Sequence, residues 1–332
     1  MNKIDYAPVV IPTLNRFDHF KRCLESLERC TGADKTDVYV GLDYPPSEKY
    51  IEGWKKIDAY LLEKEKTHKF KNLFVRRRDH NCGVANPNSN SSLLLSEIRQ
   101  KYDRFILTED DNEFSPNFLE YINWGLDYYK DDPSIFAICG FKNLDTDDIR
   151  NNVYKLNTIF SAWGYGTWFL KKEKYDILKD HDVLRRMVQQ ASIKDIFSSK
   201  VLTSSSLLYQ IAKKTFHGDV LISLLPEDEK WCVFPRENKV RNWGWDGTGL
   251  HGGSQEAFEK YSSMEIDSSP HFIPEITEDL FNPIVLERFK EKYKHSFKEY
   301  LRAVIVVSLY KLMGRILVPA KNKWYRMQFL KV

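Results

Sequence analysis

Between Ala7 and Gly140 short apolar runs alternate with helix-period patterns, and no other feature constrains the fold as strongly. Ala7-Pro8-Val9-Val10-Ile11-Pro12-Thr13 reads as a strand closed by turn residues, followed by a helix built on Phe17, Phe20, Leu24 and Leu27. Val38 to Asp43 forms a second strand, stopped by Tyr44-Pro45-Pro46, and a helical stretch from Glu48 to Lys66 comes next. Asn72 to Arg77 is a third strand. Ser91 to Tyr102 is helical and leads into a fourth strand, Arg104 to Thr108. Ser115-Pro116 is expected to open a helix, with the hydroxyl as cap, proline at the first helical position, and Phe118, Ile122 and Leu126 as the buried stripe. Ile135 to Gly140 returns as a strand. Strands that alternate with helices imply an α/β domain with a mostly parallel sheet.

A chain of 332 residues with 42% hydrophobic content can build a substantial core. Its 50 basic and 47 acidic residues leave a net charge of +3, too mild for a nucleic-acid binder. Cys23, Cys30, Cys82, Cys139 and Cys232 are odd in number and contain no CxxC, so they read as reduced, mostly buried thiols rather than disulfide or zinc ligands. Met1 is followed by polar Asn2-Lys3 and then the first strand, which leaves no room for a signal peptide and implies a cytoplasmic location. The eight tryptophans suit stacking on sugars and suit an aromatic core equally.

The fourth strand delivers three adjacent carboxylates, Glu109-Asp110-Asp111. Ligands of open α/β sheets bind beyond the carboxyl ends of the strands, which is where this trio falls. Adjacent carboxylates repel one another and the apolar strand behind them offers no counter-charge, so Mn²⁺ or Mg²⁺ is the natural compensation. Such an ion would also bridge the phosphates of a nucleotide. The plainer account is a solvated loop of helix-start acids.

The order Val9 to Arg16, a strand ending in Asp43, then Thr108-Glu109-Asp110-Asp111 and Ser115-Pro116-Asn117-Phe118 resembles the glycosyltransferases of the GT-A (Rossmann-like) fold. The opening strand fits the broad family-2 transferases. The trio followed by a small-Pro-x-Phe helix is similar to the protein-glycan N-acetylglucosaminyltransferases that act on mannose. By that resemblance Asp111 contacts the metal, Asp110 and Glu109 position ribose and donor sugar, Thr13, Asn15 and Arg16 lie near the nucleotide, and Asp43 bonds a uracil edge, implying a UDP-sugar donor. Read from the residues alone, Asp43 before Pro45-Pro46 is more often a turn-former than a base reader. Asn81-Cys82-Gly83 resembles a turn of the same family.

Inverting sugar transfer needs a second carboxylate to take the acceptor proton. Asp219, in His217-Gly218-Asp219, stands where the related enzymes place that base, and it also suits a helix cap. The segment Asn238 to His251 is rich in glycine and resembles the part of bacterial relatives that closes over the diphosphate. His251 at its end is a candidate second metal ligand. Trp163 to Trp168 is expected to form a sugar-binding wall or to pack in the core.

After Arg302 the uncharged run Ala303 to Tyr310 is too short to span a bilayer. Flanking Lys and Arg with Trp324 and Tyr325 suit a helix resting on anionic lipid, or one docked on the domain or a partner. The expected organisation is therefore a transferase domain over residues 1–265 and a helical, basic extension over 266–332. The expected activity is metal-dependent, inverting transfer from a nucleotide-sugar to a glycan or lipid-linked saccharide, in bacterial surface polysaccharide synthesis at the inner face of the membrane. A sugar nucleotidyltransferase and a non-catalytic glycan-binding relative are the rivals; the first should carry a Gly-rich triphosphate loop, which Pro12-Thr13-Leu14-Asn15 is not.

Overall fold

The computed structural model describes residues 6–84, 88–142, 144, 146, 149–178, 180–190, 222, 224–226, 228–249, 253–277, 279–292, 296–320 and 323–331. The first half builds β1 (Val9–Thr13), α1 (Phe17–Glu28), β2 (Asp37–Leu42), α2 (Ile51–Thr67), β3 (Asn72–Arg77), α3 (Asn90–Ile98) and β4 (Arg104–Leu107). There follow β5 (Asn112–Phe114), α4 (Phe118–Tyr128), β6 (Ile135–Cys139), β7 (Val153–Leu156), β8 (Tyr165–Trp168), α5 (Phe169–Ile177) and α6 (His181–Gln190). The remainder supplies β9 (Trp231–Pro235), β10 (Val240–Asn242), α7 (Gln255–Ser262), α8 (Pro283–Lys292), α9 (Phe297–Met313), β11 (Arg315–Ala320) and β12 (Lys323–Lys331).

Eight strands form one sheet in the order β3-β2-β1-β4-β8-β6-β9-β7. β3, β2, β1 and β4 run parallel, and β6 and β9 run parallel beyond the antiparallel β8. β7 closes the far edge antiparallel to β9. This is the expected α/β class, a mostly parallel sheet flanked by helices. β2 is buried along its whole length, as a strand covered on both faces must be. One face packs Phe20, Leu24 and Leu27 of α1, Ile57 and Leu61 of α2, and Phe118, Ile122 and Leu126 of α4. The opposite face packs Leu94, Leu95 and Ile98 of α3 with Phe105 and Phe169. Each such side chain contributes about 1.5–3 kcal/mol by leaving water.

The chain order decides where a ligand can enter. From β1 the chain steps outward through β2 and β3, then crosses back to place β4 on the other side of β1. The residues leaving β1 and β4 therefore meet at a topological switch point at the carboxyl ends of the strands, the place where open α/β sheets bind ligands. A second, two-stranded sheet begins just after the acidic trio: β10 pairs antiparallel with β5, matching Asn242 to Asn112 and Val240 to Phe114.

Four of the five cysteines are buried, Cys82 is half-buried, and all are free thiols, as read from their spacing. The helix opening at 115–118 differs from expectation. α4 begins at Phe118, and the Ser115 hydroxyl, instead of capping the helix, donates to Asn117 Oδ1 at 3.0 Å. Asn117 stands at the cap position but its side chain is turned away to the Asp267 carboxylate at 2.8 Å, so a tertiary bond displaces the local cap.

Candidate active site at the switch point

The end of β1 and the loop after it place Thr13 and Arg16 beside Asp110 and Asp111, which follow β4 together with Glu109. Thr13 Oγ1 donates to Asp110 Oδ2 at 2.8 Å. The guanidinium of Arg16 spans the two aspartates, with Nη2 on Asp110 Oδ1 and Nη1 on Asp111 Oδ2, the latter at 2.8 Å. The carboxylates thus have a counter-charge from the chain itself, where the apolar strand behind them offered none. The reason is tertiary: the parallel pairing of β1 with β4 brings residue 16 beside residues 110 and 111. Burial alone would weaken the charge on Arg16, but Asp110 and Asp111 outweigh it and hold the group still more firmly protonated than free arginine. On Asp110 burial dominates and raises the pKa, even with Arg16 and Thr13 pulling it down.

Asp111 is fixed from a second direction. Asn242 Nδ2 donates to Asp111 Oδ1 at 2.8 Å and to Asn112 Oδ1 at 2.9 Å, and the Trp243 N–H donates to the Asp111 carbonyl at 2.9 Å. Behind them Asn112 Nδ2 donates to Thr108 Oγ1 at 2.9 Å. Gly244 then crosses directly over the carboxylate: a Cβ there would lie 2.0 Å from Asp111 Oδ2, so only glycine permits the approach. Of the Gly-rich stretch singled out in the sequence, Asn242, Trp243 and Gly244 contact Asp111.

Glu109 is different from its neighbours. Its side chain is exposed to solvent, with protein packed around it. That desolvating surround, then repulsion from Asp111 and Asp110, pushes its carboxyl up to about 8, with Arg16 opposing. The three acids are therefore two paired carboxylates and one exposed to solvent.

Asn15 is half-buried and its carbonyl presses on α2, where a Cβ on Gly53 would lie 2.0 Å from the Asn15 oxygen. Asp43 sits at the end of β2 and is buried. Its Oδ1 accepts the N–H groups of Tyr44 at 2.9 Å and Cys82 at 2.8 Å, and its Oδ2 accepts the Gly83 N–H at 3.2 Å and Asn81 Nδ2 at 3.3 Å. These four donors match the four lone-pair positions of a carboxylate. Asp43 thus organises the Asn81-Cys82-Gly83 turn, and a base edge would have to displace one of those donors. Asp219 and His251 lie outside the described residues.

Of the aromatic segment at 163–168, Trp168 is core, with the Lys171 ammonium 3.9 Å from its ring centre. Trp163 is half-buried and packs edge-on to Tyr261 at 5.0 Å, and Tyr261 stacks on Trp245 at 5.2 Å, one residue beyond Gly244.

Among the described residues no group of three or more His, Cys, Asp or Glu gathers as a metal cage. The donor set instead fits a divalent ion held by one protein carboxylate and completed by phosphate oxygens, the usual manner for Mg²⁺ at a nucleotide. Asp111 has one partner on each oxygen, which leaves lone pairs for such an ion.

Asn242, Trp243 and Gly244 were not singled out individually in the sequence, where the histidine at the end of their segment drew attention. Their signal was the glycine density. Their partner, 131 residues away, has none in the local pattern.

No protein-family model matches the chain, and no curated protein matches its sequence. Solved structures similar to it include a mannosyltransferase from Pyrobaculum calidifontis in complex with GDP-Man and Mn²⁺, at 16% identity over 53% of this chain and 47% of that one, with a TM-score of 0.36. S. aureus TarS matches 96% of this chain and 75% of its own at 12% identity and a TM-score of 0.42. WbbM, a bifunctional glycosyltransferase, matches 54% of this chain and 36% of its own at 15% identity and a TM-score of 0.33. The match thus spans about half the length of the mannosyltransferase.

Proposed function

We propose that this chain is a GT-A-like, metal-dependent glycosyltransferase that moves a sugar from a nucleotide-sugar to a glycan or lipid-linked saccharide. One observation carries the reading: the Arg16–Asp110–Asp111 cluster sits at the switch point of the sheet under a glycine that lets backbone press on Asp111. Asp110, held by Thr13 and Arg16, is a fixed strut. Asn242 sets the orientation of Asp111, which would hold Mn²⁺ or Mg²⁺ together with the donor diphosphate. That ion would take up the charge of the departing nucleoside diphosphate. Arg16 presents a planar fork of donors at the same place, and a phosphate can share it.

The finer assignment is a UDP-sugar donor, inverting transfer with Asp219 as base and His251 as second ligand, in bacterial surface polysaccharide synthesis at the inner membrane face. The donor, the inversion and the roles of Asp219 and His251 rest on the sequence resemblance, and the membrane face on the basic carboxyl-terminal run. Domain limits of 1–265 and 266–332 belong to the same proposal.

The test is a panel of nucleotide-sugars incubated with the protein and Mn²⁺, scored for nucleoside diphosphate release before and after chelation. Release from one donor, abolished by chelation and reduced on the order of 10²-fold or more in Asp111→Ala, is the expected result. Turnover unaffected by chelation, or wild-type turnover in Asp111→Ala, overturns it.

A further inference from the structure

Helix α9 is apolar on two opposite faces. Inward, Val306, Val307 and Tyr310 are buried in a core shared with Phe136, Tyr154, Phe234 and Val285. Outward, Phe297 is 75% exposed, Leu301 45%, Ile305 54% and Leu312 82%. At about 100° per residue these four outward side chains fall within an arc of about 80°, and the inward three centre on the opposite side. The outward stripe is flanked by exposed Lys298 and Lys311. At its end Gly314, at φ +61°, donates its N–H to the Tyr310 carbonyl at 2.8 Å and turns the chain into the β11–β12 hairpin.

The charge of this region departs sharply from the rest. After Glu299 there is no acidic residue, while Arg302, Lys311, Arg315, Lys321, Lys323, Arg326 and Lys331 supply +7. Against a total of +3, residues 1–299 therefore carry −4. A bare apolar stripe on a helix whose charges after Glu299 are all cationic needs an occupant that is apolar inside and anionic at its rim. A second copy of this chain does not meet that requirement, because a self-complementary contact would bring the two cationic segments together.

We propose that the outward face of α9 docks on an anionic lipid bilayer, the apolar stripe entering the headgroup boundary and the lysines and arginines resting on lipid phosphates. Stripe and charge are two signals, which stable surface attachment requires. The helix lies on the membrane and does not cross it; among the described residues no helix is long and apolar enough to span. This inference stands independently of the reaction assigned above.

The experiment is co-sedimentation of the full chain with phosphatidylcholine vesicles, with or without about one third phosphatidylglycerol. Wild type is expected to pellet with the anionic vesicles and to be released by salt. Leu301→Glu/Ile305→Glu should weaken binding about tenfold or more, and Lys298→Glu should weaken it about fivefold. Unchanged melting temperatures of both variants confirm that they fold, since the positions replaced are exposed. Absence of anionic binding, equal binding to both vesicle types, or wild-type binding by Leu301→Glu/Ile305→Glu overturns the proposal. So does a wild-type dimer in sedimentation that dissociates in this double variant without any vesicle binding, which would assign the stripe to a second copy.

Discussion

Gly244 has no side chain, and a methyl group in its place would meet Asp111 Oδ2 at 2.0 Å. The 242–249 backbone or the carboxylate must then move. Since Asn242 and Arg16 hold that carboxylate in place, the substitution reads directly on the site. Gly244→Ala is expected to lower kcat/KM for the donor on the order of 10²-fold, the effect of an ångström-scale misplacement, with only a small change in melting temperature. Steady-state kinetics beside a thermal melt check this, and wild-type kinetics would remove Gly244 from the site. Asp43 shows the same scale from the other side: a residue read as a base reader or a turn-former has its carboxylate occupied by a turn. Sequence position alone could not separate these readings, because both need a carboxylate at a strand end.

The closing loop owes its position to α1 more than to its own conformation. The Arg22 guanidinium lies 4.0 Å from the Trp243 ring centre, and Trp243 Nε1 donates to Glu113 Oε2 at 2.9 Å. His19 Nε2 lies 3.1 Å from Asp246 Oδ2, and Thr248 holds the other oxygen of Asp246 through its hydroxyl at 2.6 Å. Burial would raise the Asp246 pKa, but the Thr248 donors, His19 and Arg16 more than reverse this and lower it. Trp243→Ala should cost about 1–3 kcal/mol from the lost cation–π contact and hydrogen bond. It should also speed hydrogen exchange at the amides of 243–249 selectively, by mass spectrometry. Uniform change across the chain, or none, would show that α1 does not anchor the loop.

Across the whole molecule, the segment around Asp267 ties distant parts of the domain together. Its carboxylate accepts from Asn117 at 2.8 Å, from the Ser269 N–H at 2.8 Å and from Lys239, and its N–H donates to the Asn238 carbonyl at 2.8 Å. Burial would raise the Asp267 pKa, yet Asn117, Lys239 and the Ser269 N–H together push it down to about 2. On Lys239 burial is the larger influence and lowers the pKa, with Asp267 opposing. The three donors converging on the aspartate hold it ionised. A depressed carboxylate stabilises the fold above its unfolded pKa of about 3.9, and that contribution fades as pH falls toward 2. Asp267→Asn should therefore be less stable than wild type at pH 6, by about 3–5 kcal/mol as for a broken buried pair, with the gap narrowing between pH 4 and pH 2. Urea denaturation across that range measures it, and a gap independent of pH would exclude the linkage.

Local chemistry determined a good deal on its own. Apolar runs with β-branched residues, turn residues at their ends and helical periods between them are set by neighbours a few positions apart, so the strands from β1 to β4 and the placement of Glu109, Asp110 and Asp111 after β4 could be read directly. The glycines of 244–253 likewise signalled close backbone approach. Tertiary structure alone decided the rest. Strand order set Arg16 against Asp110 and Asp111, supplying a counter-charge where the apolar strand before them offers none. Pairing of β10 with β5 carried Asn242 to Asp111, Asp267 drew Asn117 away from its helix cap, and α9 came to bury one apolar face and bare the other. Each of these depends on contacts between residues far apart in the chain, whose energy exists only once the core has assembled and is invisible to any local period.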